Sequence, residues 1–249
     1  MQVDHWQFLQ NYTPARIARG RAGHSFPTNE LLKFQADHAQ ARDAVYSTLN
    51  IPALSESLQL TLDLPIIHLK SGIENRSQYL QRPDLGRTLS QESREVLQTM
   101  KAEESDVCFV VTDGLSAEAI NQNIGSVLEN IIAKLNKINW KIASICLVEQ
   151  GRVAVADEIG YLLKSKIVVV FIGERPGLTS PNSMGAYITF NPQVGITDES
   201  RNCVSNIRPE GMNPETASDK IIYLLNEMKV KKISGVHLKD EANDSKYLN

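Results

Sequence analysis

The chain has 249 residues, 42% hydrophobic and 22% charged, with a formal net charge of −3. That balance excludes an intrinsically disordered chain and lacks the basic excess of a nucleic-acid binder. Three scattered cysteines without a CxxC pair argue for a reducing compartment and against a zinc knuckle, and apolar runs of about six residues fall far short of a membrane span.

The N-terminal "MQVDHWQFLQ" has no basic region followed by an apolar run, so no secretory signal is expected. Residues 1–104 read as mainly helical and irregular. "PTNELLKFQADHAQARDAVYSTL" predicts a helix capped by Thr28 or Asn29, with Leu31, Leu32, Phe34, Gln35, His38, Ala41, Ala44 and Val45 broadly on one side. On that apolar side His38 reads as a core residue, not a metal ligand. "RSQYLQRPDLGRTL" carries Pro83 and Gly86 and reads as a loop, and "SQESREVLQTMKAEE" as a helix capped by Ser90. From residue 105 strands and helices alternate. "DVCFVVT", "KIASICLV" and "IVVVFI" are strands, separated by the helices of "LSAEAINQNIGSVLENIIAKLNKIN" and "VADEIGYLLKS". Runs apolar on both faces suit a parallel sheet covered on both sides. "GAYITFN" is a further apolar piece, "NPETASDKIIYLLNEMKVKK" a last helix capped by Asn213, and the final dozen residues a frayed tail. The fold class is therefore α/β, with a Rossmann-like parallel sheet in residues 105–249 preceded by the helical N-terminal region.

Ligands of such sheets bind beyond the carboxyl ends of the strands. Two glycine-bearing loops fall there, "TDGLSAEA" and "GERPGLTS", and in the first Ser116 can cap a helix and leave amides for a ligand. Neither matches a phosphate fingerprint: there is no GxGxxG after a strand and no GxxxxGK[ST]. Taken alone, Glu174 reads as a solvated loop carboxylate beside Arg175, and Cys203 as a small buried hydrophobe. No HExxH, GxSxG, paired-carboxylate or cysteine–histidine signature is present, so no catalytic residue is assigned. A ligand crevice without chemical machinery suits a chain that holds a cofactor for a partner.

The ordered set "ARIARGRAG", "LLKFQADHAQARDAV", "YLQRPDLGRTL", "DGLSAEAI", "GRVAVADEIG", "GERPGLTSPNSMGAY", "RNCVSNIRPEG" and "KKISGV" closely resembles the small subunit of ethanolamine ammonia-lyase, from about Ala15 to Val236. The resemblance implies an adenosylcobalamin-dependent lyase that converts ethanolamine to acetaldehyde and ammonia by a radical route. It also implies a large subunit, a TIM-type barrel that binds ethanolamine and does most of the chemistry. This chain would close over the cofactor at the interface between the two and would be inactive alone. Cofactor contacts of the family carry over onto Val153 in "GRVAVADEIG", Glu174 in "GERPG" and Cys203 in "RNCVSN"; Arg152, Arg175, Pro176 and Gly177 follow by adjacency. No nucleic-acid or membrane partner is implied. The location implied is cytoplasmic, inside a bacterial microcompartment in many relatives, although only about 14 residues precede "ARIARG".

None of His5, His24, His38, His68 or His237 has an aspartate two residues before it, so the chain carries no DxHxxG motif to replace the cofactor's lower base. Two alternatives stay open: a stand-alone α/β protein for a nucleotide-like ligand, and a structural subunit that never touches cofactor.

Overall fold

The computed structural model describes residues 4–13 and 15–239. The tail read as frayed lies, beyond Lys239, outside the described residues. Six strands form one mixed sheet: β1 (Ile66–Lys70), β2 (Ser105–Thr112), β3 (Ile142–Glu149), β4 (Ser165–Gly173), β5 (Met184–Phe190) and β6 (Arg201–Ile207). Their order is β1-β3-β2-β4-β5-β6. The first four are mutually parallel, which the alternating pattern predicted for β2, β3 and β4. β5 and β6 are antiparallel, so the expectation of an all-parallel sheet is corrected at this edge. The physical reason is connection length. Ten residues separate β4 from β5, and a parallel crossover takes a dozen or more.

Among the described residues there are seven α-helices: α1 (Thr28–Tyr46), α2 (Ile51–Thr61), α3 (Arg76–Gln81), α4 (Gln91–Thr99), α5 (Ala117–Lys137), α6 (Val155–Leu162) and α7 (Pro214–Lys231). The central strands are buried on both faces because alternate residues feed two separate cores. Val107, Phe109 and Val111 of β2 join Val169 and Phe171 of β4 beneath α5 and α7. Cys108, Val110, Cys146, Val148, Val168 and Val170 point the other way, beneath α6. Each such side chain contributes about 1.5–3 kcal/mol by leaving water.

α5 shows why the sequence folds as it does locally. Ser116 Oγ accepts the Ala119 amide at 3.2 Å, Glu118 sits in the first turn, and Lys134 and Lys137 sit in the last. Ile120, Ile124, Val127, Leu128, Ile131 and Leu135 give a buried stripe, and Asn139 at φ 54° leads the chain away. The expected caps Ser90 and Asn213 also hold.

Four departures concern the first hundred residues. α1 starts at Thr28 behind Pro27, and no side chain caps it. His38 is exposed, not in a core. The segment read as a loop holds α3, begun by Asn75, whose side chain accepts the Gln78 amide at 3.0 Å. β1 lies in the stretch read as helical and irregular, yet it pairs with β3 in the common sheet. No helix among the described residues is long and apolar enough to cross a membrane.

Candidate functional site

The chain leaves β2 toward α5 on one face and leaves β3 toward α6 on the other. Between these adjacent strands lies the switch point where open α/β sheets commonly bind ligands. Here the protein fills that position itself. The Tyr79 ring lies between two guanidinium groups, 4.6 Å from Arg76 and 4.0 Å from Arg152. Its hydroxyl donates to the Gly151 carbonyl at 3.2 Å. Arg76 donates to the Gly114 carbonyl at 2.8 Å and to the Val45 carbonyl at 2.6 Å, and lies 3.7 Å from Asp113. Burial pushes the Asp113 carboxyl up to about 6, against the opposing pull of Arg76.

The two glycine loops singled out in the sequence close on each other. The Leu115 amide donates to the Gly173 carbonyl at 2.9 Å. A Cβ on Gly173 would stand 2.0 Å from the Ser116 carbonyl oxygen, so the close approach requires glycine. Nor does the α5 N-terminus keep the free amides expected of it. Ser116 Oγ takes Ala119, and Ser47 Oγ takes Glu118 at 3.0 Å.

The accessible chemistry is displaced toward β5 and β6. Glu174, half-buried, follows the last residue of β4, and its side chain crosses β5 at Gly185. A Cβ at Gly185 would come 2.9 Å from Glu174 Oε1. Ser183 Oγ donates to Oε2 at 2.5 Å, Ser205 Oγ donates to Oε1 at 2.6 Å, and the Asn206 amide lies 3.3 Å from both oxygens. The register of β5 against β6 is irregular between Met184 and Ala186, and Asn206 opposite it has φ 61°. This bulge turns the Asn206 amide toward the carboxylate. Glu174 is thus held by two strands and is not the free loop carboxylate its position suggested.

Cys203 is exposed on β6, not the buried hydrophobe its residue type suggested. It pairs in register with Tyr187 of β5, which pairs with Val170 of β4. Partial burial of the thiol raises its pKa above the ordinary value. A hydrogen bond with Tyr187 works against this, and the nearby Glu174 adds to the rise. Cys203 is therefore a neutral thiol at physiological pH and no activated nucleophile. Burial and the Cys203 neighbour push the Tyr187 phenol up to about 12. Val153 sits half-buried on the turn into α6, packed on the same core cluster as Tyr187.

The structure therefore gathers Glu174, Tyr187, Cys203 and Ser205 at one corner and sets Val153 on the same face of the sheet. Arg152 is turned instead to Tyr79. Ser183, Ser205, Asn206 and Gly185 were not foreseen. They come from two segments distant in sequence, one holding Ser183 and Gly185 and the other Ser205 and Asn206, and neither carries a signal of its own for a ligand contact. Chemically the corner offers a carboxylate that lies over Gly185, hydroxyl groups and a neutral thiol. It can grip polar groups by hydrogen bonds.

Residues 3–239 match the family described as ethanolamine ammonia-lyase light chain (EutC). The chain is 50% identical over 240 residues to the ethanolamine ammonia-lyase small subunit of Azotobacter vinelandii, covering 95% of this chain and 88% of that one. Against the small subunit of Xanthomonas campestris pv. campestris it is 49% identical, covering 96% and 89%. Against that of Ralstonia nicotianae it is 48% identical, covering 95% and 88%.

Proposed function

The chain belongs to the ethanolamine ammonia-lyase light chain family, and from that premise we propose that it holds adenosylcobalamin against a large catalytic subunit which converts ethanolamine to acetaldehyde and ammonia. The observation that carries the reading is the family match across residues 3–239. In this reading residues 105–249 are the Rossmann-like, cofactor-contacting part, and residues 1–104 face the partner.

The cofactor's chemistry is a fair test of the corner at Glu174. A corrin presents a flat macrocycle rimmed by amide side chains. The corner offers an acceptor carboxylate that lies over Gly185 and is already oriented by Ser183 and Ser205. These residues fit that rim. Bound adenosylcobalamin supplies the radical chemistry. Glu174 would accept a hydrogen bond from a peripheral amide or hydroxyl with the capacity left by Ser183, Ser205 and the Asn206 amide, which take most of the roughly four bonds a carboxylate accepts. Ser205 keeps its oxygen aimed, Val153 gives apolar surface, and Cys203 gives a small neutral wall. The filled switch point supports this reading over a nucleotide-like ligand, because the usual crevice is taken by Tyr79, Arg76 and Arg152.

The test is acetaldehyde release from ethanolamine and adenosylcobalamin by the large subunit of the same source, with and without this chain. Activity that requires both chains is expected. If this chain neither binds the large subunit nor restores turnover, the reading falls. Glu174→Ala then addresses the cofactor contact. The complex should stay intact while cobalamin affinity drops about tenfold or more, as for a lost hydrogen bond to a charged group. An intact complex with unchanged cobalamin affinity removes Glu174 from the site.

A further inference from the structure

The N-terminal part of the chain presents more apolar surface than a lone protein needs. α1 is nineteen residues long, and Ala44 is its one buried residue. In proteins most of a helix's stability comes from packing one face against a neighbour. Leu31, Phe34, His38, Ala41 and Val45 recur at alternating three- and four-residue steps, the spacing of a helix that packs along a seam. The seam meets the body only at its C-terminal end. There Arg76 reaches the Val45 carbonyl and Ser47 holds the Glu118 amide. Toward its N-terminus the seam opens to solvent, with Leu31 46% and Phe34 42% exposed. A polar cavity of about 520 Å³, lined by Lys33, Asp37 and Gln40 on one side and by Glu118, Asn182 and Arg208 on the other, sets this half of the helix off from the body.

The preceding arm extends the same surface. Arg16 pairs with Asp37 and Arg19 with Glu30, each at 2.5 Å, fastening the arm to α1. The Arg16 guanidinium lies 5.1 Å from the Phe34 ring centre. Trp6, Arg16 and Phe26 line one cavity, and Trp6 stacks with Phe8 at 6.4 Å. Trp6 is 64% and Phe26 68% exposed. At 150–250 Å² per aromatic side chain, the exposed parts of Trp6, Phe8, Tyr12, Phe26 and Phe34 come to roughly 600 Å². That already reaches the largest apolar patch usual on a monomer, about 300–600 Å². With Leu31 and Leu32 it approaches the roughly 800 Å² each partner gives to a stable interface.

We propose that the aromatic arm and the open seam of α1 form the surface on which the large subunit docks, through an apolar groove that receives Leu31, Phe34, Trp6 and Phe26. The inference rests on the small-subunit reading. The names of the family and its members point to the occupant: the matching family is a light chain and the relatives are small subunits, so each has a larger partner chain. The exposed area is of the size a stable protein interface needs, and the arm lies within the match to residues 3–239. Aromatic and leucine side chains at helical spacing are the anchors by which a helix enters a groove on a folded partner.

The experiment titrates this chain against the large subunit of the same source by sedimentation velocity. Leu31→Glu/Phe34→Glu is expected to weaken the complex on the order of 100-fold, as the loss of two anchors does. Leu31→Ala/Phe34→Ala covers the case in which the charged variant fails to fold and is expected to weaken binding at least tenfold. Leu60→Glu/Val230→Glu, at exposed apolar positions on α2 and α7, should bind like the parent. Far-UV circular dichroism checks that each variant is folded. A folded Ala variant with parental affinity overturns the docking surface. Self-association of the isolated chain that the substitutions abolish, with affinity for the large subunit unchanged, also overturns it and assigns the face to a second copy. If the parent itself does not bind the large subunit, the small-subunit reading fails first, which separates the two failures.

Discussion

Ser205 Oγ stands 2.6 Å from Glu174 Oε1, a bond that joins β6 to the end of β4 across the intervening strand β5. It is possible because Gly185 of β5 has no side chain in the way. Gly185→Ala places a methyl 2.9 Å from Glu174 Oε1 and turns the carboxylate aside. In the complex with the large subunit this variant is expected to lose cobalamin affinity about as much as Glu174→Ala, roughly tenfold. Spectroscopic titration with cobalamin checks it, beside a thermal midpoint to show that the fold is kept. Parental affinity in Gly185→Ala would mean that Glu174's orientation does not matter to the cofactor.

Gly173 governs the neighbouring contact. Its Cβ would meet the Ser116 carbonyl oxygen at 2.0 Å and the Asp113 carbonyl oxygen at 2.5 Å, both rigid backbone. Gly173→Ala must therefore part the two loops and break the Leu115–Gly173 hydrogen bond. A loss of about 3 kcal/mol or more is expected from overpacking of this kind. Urea unfolding measures it, and a change below about 0.5 kcal/mol would show that the loops separate freely.

The parallel heart of the fold was legible because "DVCFVVT" and "IVVVFI" are apolar on both faces, and such runs have few other places to go. β6 was not legible. In "RNCVSNI" buried and exposed positions mix, and one face of this edge strand stays uncovered. β1 is five residues long and α3 six, too short for periodicity to rise above the Pro83 and Gly86 turn signals nearby. The antiparallel turn after β4 had a signal in the ten-residue connection. Ser183 and Gly185 share the block "GERPGLTSPNSMGAY" with Glu174, but nothing in sequence brings Ser205 to them before the sheet is assembled. Resemblance brought Glu174 and Cys203 forward, and the structure adds that hydrogen bonds hold one in place and that the other is an exposed thiol whose pKa partial desolvation raises.

Behind the corner, Arg201 and Asp157 meet at 2.6 Å with both side chains only 2% exposed. Arg201 also donates to the Ile196 carbonyl at 3.1 Å, so the pair fastens the loop before β6 to α6. Removing one member strands the other charge out of water, which costs about 3–5 kcal/mol. Arg201→Met is therefore expected to lose about that much in urea unfolding. Adding Asp157→Leu should recover most of the loss, since two apolar residues need no counter-charge. If the double variant is no more stable than the single, the pair matters through shape and not through charge.

Asp113 makes the fold sensitive to mild acid in an unusual direction. It is 1% exposed, and burial raises its carboxyl to about 6 from an ordinary value near 3.8. Between those values the folded chain keeps a proton that the unfolded chain has released. Stability from this group is thus fully present below about pH 4 and is lost as pH rises through 6. Above that the buried carboxylate is charged and leans on Arg76, 3.7 Å away. Asp113→Asn cannot ionise and should lack this loss. Comparing each protein with itself at pH 4.5 and 6.5 cancels the other carboxylates, which titrate alike in both. Unfolding free energies should fall further over that interval in the parent than in Asp113→Asn, by on the order of 2 kcal/mol. Equal pH dependence in the two proteins would mean that Arg76 keeps Asp113 ionised throughout, and the strut between α3 and the β2 loop would then be a full ion pair at every pH tested.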